Sequence, residues 1–288
     1  MKNKFLSLVA LSVLLVSCSK DDNNSTVASS QLKLNLTGLE NLGANYKYEG
    51  WVVVNGAPVT TGTFTVNDAG ILSKTTFDVA ATTLANATTF VLSIEPANDT
   101  DPAPSNTKYL VGDFSGNTAT VNTGIVGDFS AATGKYLIAS PTDGGLNPYA
   151  GVWFFDGVNG VTGLNLPTLE AGWKYEGWAV TNNGNTVLST GTFTNPVGAD
   201  NSAIYSGPMS GPASPGEDFV TNAPTGVTFP LDLRGAKLVI SIEPNPDNSP
   251  MPFKLKPLSH DVSQTVAPGD TYSMMKDLSS FPSGTVTR

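Results

Sequence analysis

The side chains that could do chemistry here are few and scattered. The chain has one cysteine, Cys18, and one histidine, His260. That count excludes a disulfide scaffold and a Cys/His zinc set. No Gly-x-Ser-x-Gly elbow marks a serine nucleophile, and no glycine-rich phosphate loop follows a strand into a helix. Hydrolysis of a glycosidic bond would need two acids facing across a cleft, for which Asp113, Asp128, Glu217 and Asp218 are the candidates. Glu95 and Glu243 each lead into an oxygen-rich loop, residues 97–102 and 245–248, of the composition that holds calcium or simply makes turns. Tyr48, Trp51, Tyr175 and Trp178 lie in two matching strands whose rings could form a ligand platform or fill a core. His260 reads as a solvated or hydrogen-bonded residue, and Lys254 and Lys256 flank Leu255 as the outer face of a strand. The expectation is therefore no catalytic residue, no cofactor and no metal.

Cys18 is the exception, because its position carries meaning. Lys2 and Lys4 precede the apolar run Phe5 to Val16, which is too short to span a bilayer and has the length of a secretory signal core. The run ends Leu15-Val16-Ser17-Cys18, which resembles a bacterial lipobox, where the cysteine sulfur receives a diacylglyceryl group and residues 1–17 are cleaved away. Two or more acyl chains hold a protein stably to a bilayer. Residues 18–30 then read as a polar tether, and Lys20-Asp21-Asp22 resembles a signal that exports lipoproteins to the cell surface. The expected location is the outer membrane, on the surface or the periplasmic face, with the lipid anchor as membrane partner.

Charge narrows the partners. The chain carries a net −9, which becomes −11 when Lys2 and Lys4 leave with the signal. Nucleic acid binding needs a basic patch that releases counterions, so it is not expected. Only 14% of residues are charged, against about 25% in a typical soluble protein, which speaks against a helical body.

A duplication positions everything downstream. Tyr46-Lys47-Tyr48-Glu49-Gly50-Trp51 returns as Trp173-Lys174-Tyr175-Glu176-Gly177-Trp178, Gly62-Thr63-Phe64-Thr65 as Gly191-Thr192-Phe193-Thr194, and Leu92-Ser93-Ile94-Glu95-Pro96 as Ile240-Ser241-Ile242-Glu243-Pro244. The offsets are 127, 129 and 148, so the second copy has gained residues, and the Gly/Pro-rich stretch 201–222 reads as the loop insertion. Within each copy the apolar period is two, as in Leu32, Leu34 and Leu36, and Asn55-Gly56 and Asn183-Gly184 supply hairpin turns. Residues 135–156 have no counterpart ahead of the first copy and read as an extra hairpin. The expected fold is all-β: two tandem antiparallel, immunoglobulin-like β-sandwich repeats, 31–128 and 129–288, either separate or sharing sheet edges.

The run Tyr48-Glu49-Gly50-Trp51-Val52-Val53, with Asn55-Gly56, Pro58-Val59, Gly62-Thr63-Phe64, and Leu92-Ser93-Ile94-Glu95-Pro96 before Pro102 and Pro104, resembles the extracytoplasmic domain of anti-sigma-K factors. The second copy resembles it too. In that family a separate cytoplasmic domain and a transmembrane helix hold the sigma factor. Neither is read here, so the resemblance implies shared ancestry of a domain, without sigma-factor binding. The expected role is a non-enzymatic envelope binding or interaction module, with an envelope protein as partner. The alternatives are surface-glycan capture through the aromatic strands and an envelope hydrolase.

Overall fold

The computed structural model describes residues 28–246 and 249–288, so Cys18 and most of the expected tether lie outside the described residues. The first repeat supplies β1 (Ser29–Thr37), β2 (Tyr46–Val54), β3 (Ala57–Phe64), β4 (Thr76–Ala80), the short helix α1 (Ala81–Asn86), β5 (Ala87–Pro96), β6 (Lys108–Ser115) and β7 (Thr118–Val121). The middle of the chain forms β8 (Thr133–Ile138), β9 (Gly151–Trp153), β10 (Phe155–Asp156), β11 (Val161–Thr162) and β12 (Leu164–Asn165). The second repeat supplies β13 (Trp173–Thr181), β14 (Thr186–Phe193), β15 (Gly216–Asp218), β16 (Lys237–Pro244) and β17 (Leu258–Asp261), followed by β18 (Thr271–Ser273), β19 (Met275–Lys276) and β20 (Ser283–Thr287). The fold is nearly all β, and every strand pair among the described residues is antiparallel. No described helix is long and apolar enough to cross a membrane.

Local chemistry explains the elements. In β1 the buried Leu32, Leu34 and Leu36 alternate with exposed Lys33, Asn35 and Thr37, the period of a half-covered strand. The turn after β2 places Asn55 at φ 51° and Gly56 at φ 79°, the left-handed pair that a two-residue hairpin requires. The matching turn is a three-residue one, Asn182–Gly184, with Asn183 at φ 53°. Both repeats carry a register break at the same point of the motif, Gly50/Trp51 and Gly177/Trp178. The central strands lose the period of two: β5 is buried along Phe90 to Glu95 because both of its faces are covered.

Strand pairing departs from a division near residue 128. The first sheet runs β3-β2-β5-β6-β7-β20-β1-β4, so the last strand of the chain is inserted between two strands of the first repeat. Val286 faces Leu34 on one side and Ala119 on the other. The physical reason is edge protection: without β20, β1 and β7 would each present open backbone groups. The second sheet runs β14-β13-β16-β17-β19. The expected extra hairpin is present as β8 and β9, and it forms a smaller sheet with β12, β18 and β15, a strand of the insertion. One buried cluster runs through both repeats, from Leu32 to Val286.

Candidate functional site

The aromatic strands are core. Trp51 and Trp178 are each 2% exposed, and Tyr48 and Tyr175 are fully buried, which overturns the ligand platform. Tyr48 Oη donates to the Glu40 carbonyl at 3.0 Å and Tyr175 Oη to the Pro167 carbonyl at 2.7 Å, eight residues upstream in each case. Their rings stack on Phe64 and Phe193, both at 5.4 Å. Burial pushes both phenol pKa values far up, so they serve as neutral donors.

The two tryptophans instead begin a duplicated hydrogen-bond chain. Trp51 Nε1 donates to Ser93 Oγ at 2.8 Å, and Ser93 Oγ donates to Glu95 Oε1, which also accepts the Ser105 amide at 2.9 Å. In the second repeat Trp178 Nε1 donates to Ser241 Oγ at 2.7 Å, Ser241 Oγ donates to Glu243 Oε1, and the Phe253 amide reaches that same oxygen at 2.8 Å. Each Ser-x-Glu-Pro segment thus pins an amide ten residues on and closes its proline-rich loop. Burial raises the Glu95 pKa, with the Ser93 and Ser105 donors pulling it back. Glu95 and Glu243 are therefore loop clamps built into the strands, whereas Asp99 and Asp101 cap the next turns by accepting the amides of Asp101 and Ala103. The repeated Ser-x-Glu was visible in the sequence; the indole lying over it was not.

What the clamps hold is the seam between the repeats. Beside Ser105, Thr107 Oγ1 donates to the Gly172 carbonyl and Trp173 Nε1 to the Lys108 carbonyl, at 3.3 and 3.0 Å. Beside Phe253, the Lys254 amide donates to Glu40 Oε2 at 2.6 Å. Tyr109, Trp173 and Phe253 form a mutual ring cluster at 5.5–5.9 Å. Next to this cluster opens a cleft of about 280 Å³ whose lining includes Leu42, Tyr46, Ile94, Pro244 and Phe253 together with polar Glu40, Asn41, Asn45 and Ser249. Apolar walls with a few polar groups, in a recess, are usual properties of a ligand site.

The four candidate carboxylates do not converge. Asp113 is exposed on β6 and accepts Thr89 Oγ1 at 2.7 Å, and exposed Asp128 accepts the Ser130 amide at 2.9 Å. Glu217 and Asp218 are fully buried on β15. Asp218 accepts the Thr142 amide, Thr142 Oγ1 and Trp153 Nε1 at 2.7, 2.5 and 2.8 Å. Glu217 accepts Ser206 Oγ and the Tyr205 amide. Burial raises both pKa values, and each is raised further by an acidic neighbour. These acids anchor the insertion through their partners Thr142, Trp153, Tyr205 and Ser206.

The remaining candidates are structural. His260 Nδ1 lies 2.9 Å from Tyr136 Oη, the hydrogen-bonded state expected of it. Lys254 and Lys256 flank buried Leu255, but in an irregular stretch and not on the expected strand; the Leu255 carbonyl there accepts the Ile242 amide at 2.8 Å. Ser105 and Lys108 have the Ser-x-x-Lys spacing of some acyl-transfer enzymes. Here Ser105 Oγ donates to the Ile94 carbonyl, while Lys108 Nζ bonds the Ser105 carbonyl and not its hydroxyl. No family model, curated protein or solved structure matches the chain.

Proposed function

We propose that this chain is a lipid-anchored, non-enzymatic binding module of the outer membrane, with repeats related to the anti-sigma-K extracytoplasmic domain, and that it offers the cleft between the repeats to an envelope partner. The observation that carries the reading is the course of β1. The strand begins at Ser29, where the tether from Cys18 joins, and ends at Thr37, immediately before Glu40 and the cleft. At about 3.3 Å per residue its nine residues separate the two by nearly 30 Å. A lipid on Cys18 would therefore join the body at the end of β1 remote from the cleft, leaving the cleft clear of the attachment point. The eleven residues from Cys18 to Ala28 span at most about 40 Å, enough to clear the headgroups.

Glycan capture loses the rings that motivated it, because Trp51 and Trp178 are buried. The test has two arms in cells expressing the full chain. Radiolabelled palmitate should enter the wild type and not Cys18→Ala, and Cys18→Ala should leave the membrane fraction. A photo-crosslinking side chain at exposed Asn45, beside the cleft, should then give a discrete envelope-protein adduct, while one at exposed Val158 should not. Equal palmitate incorporation would overturn the anchor. Identical adduct patterns at the two positions would overturn the cleft.

A further inference from the structure

The insertion that distinguishes the second repeat is fastened by an acid where the first repeat uses a ring. Gly62 and Gly191 are equivalent, with φ of 118° and 124°, so neither position accepts a side chain without strain. A Cβ at Gly62 would meet the ring of Phe77 at 3.1 Å, whereas one at Gly191 would meet the carboxyl of Asp200, its Cγ at 2.5 Å. An apolar cover in one copy and a carboxyl in the other means that covering this strand does not itself require an acid.

Around Asp200 the geometry is that of a fastening. Its Oδ2 accepts the Gly216 amide at 2.9 Å and its Oδ1 the Ser202 amide at 3.2 Å, so one side chain joins both ends of the loop 200–216. The next residue, Asn201, pairs with the backbone of Thr192 in both directions, at 3.0 and 2.8 Å. That contact covers β14, the edge strand of the second sheet.

The charges facing Asp200 are mostly of its own sign. From β13 come Glu176 and Lys174, the lysine lining the same surface hollow; from β15 comes Glu217; β14 contributes none. Among the described residues Asp200 has no ion pair. We propose that Asp200 is a pH-operated latch: protonated, it holds residues 195–216 against the β14 edge, and ionised, it favours their release. Burial, with Glu217 and Glu176 adding to it, pushes its pKa up to about 7, while the two amides pull the other way. The sign follows directly. The latched state binds the proton more tightly than a solvated carboxyl would, so latching weakens as pH climbs from the ordinary carboxylate range to the latched pKa and levels off above it.

Amide hydrogen exchange tests the latch, with rates expressed as protection factors and Val52 in β2 as internal reference. Protection at Ser202, Gly216 and Thr192 should fall by at least about tenfold between pH 5.5 and 8.5, relative to Val52. Asp200→Asn should flatten that dependence. Glu217→Gln, which removes one like charge, should make the fall smaller and complete it at lower pH, so the proposal stays testable if Asp200→Asn folds poorly. A wild-type change below twofold, or an undiminished fall in both variants, would overturn it.

Discussion

Tyr109 shows most clearly what burial demands of a single side chain. It is fully buried in the seam, its ring touches Tyr48, Trp173 and Phe253, and its hydroxyl has no hydrogen-bond partner among the described residues. Burial raises its pKa well above the usual phenol value, with Tyr48, Glu40 and Glu243 adding to the effect. An unmade hydrogen bond in an apolar site costs about 1–3 kcal/mol, and the ring can keep every apolar contact without its oxygen. Tyr109→Phe is therefore expected to stabilise the protein by about 1 kcal/mol, read as a shift of the urea midpoint at unchanged slope. A loss of stability would mean that the hydroxyl has a partner. The sequence could not single this tyrosine out, because its neighbours in β6 are ordinary strand residues and the seam is built by chain more than sixty residues away.

At the scale of elements, the final strand carries the most consequence for its length. β20 is five residues long, yet it bridges β1 and β7. Arg288 beyond it lies over the Phe114 ring at 4.3 Å, donates 2.5 Å bonds to the carbonyls of Leu84 and Ala87, and donates to that of Gly116 at 3.1 Å. Removing residues 281–288 should unfold the first repeat, although every residue of that repeat remains. The expected outcome is loss of the cooperative thermal transition by circular dichroism, or insoluble expression; a deletion that melts within a few degrees of the full chain would refute the pairing. The two hairpins after β2 and β13 were legible from Asn-Gly alone, since a left-handed φ is a local demand. Nothing in Ser283-Gly284-Thr285-Val286-Thr287 names its partners, because pairing with residues some 250 positions away is a long-range choice among many compatible edges.

For the whole molecule, the balance of buried acids sets the response to pH. Burial raises Glu95, Asp200, Glu217 and Asp218, so the folded state holds their protons more tightly than the unfolded chain. Stability carried by these groups is present at low pH and declines as pH rises through the carboxylate range towards about 7, the Asp200 value. Asp156 acts the other way: the Lys135 ammonium at 2.6 Å and Asn159 hold its pKa down, so its contribution disappears only in strong acid. Thermal melting should therefore be highest in mildly acidic buffer, about pH 5, and fall by several degrees by about pH 8. A flat or rising profile over that interval would refute the reading that desolvation outweighs the hydrogen bonds these acids accept.

The sequence by itself determined the all-β class, the duplicated motif with its insertion, the hairpin turns and the strand faces, because each depends on neighbours within a few residues. Only the tertiary structure decided what covers each face. It turned the expected rings into core, joined Trp51 and Trp178 to the Ser-x-Glu clamps, set those clamps against the opposite repeat, and drew the last strand into the first sheet. A period of two tells which side chains share a surface; whether water, a loop or a distant strand lies over that surface is settled by long-range packing.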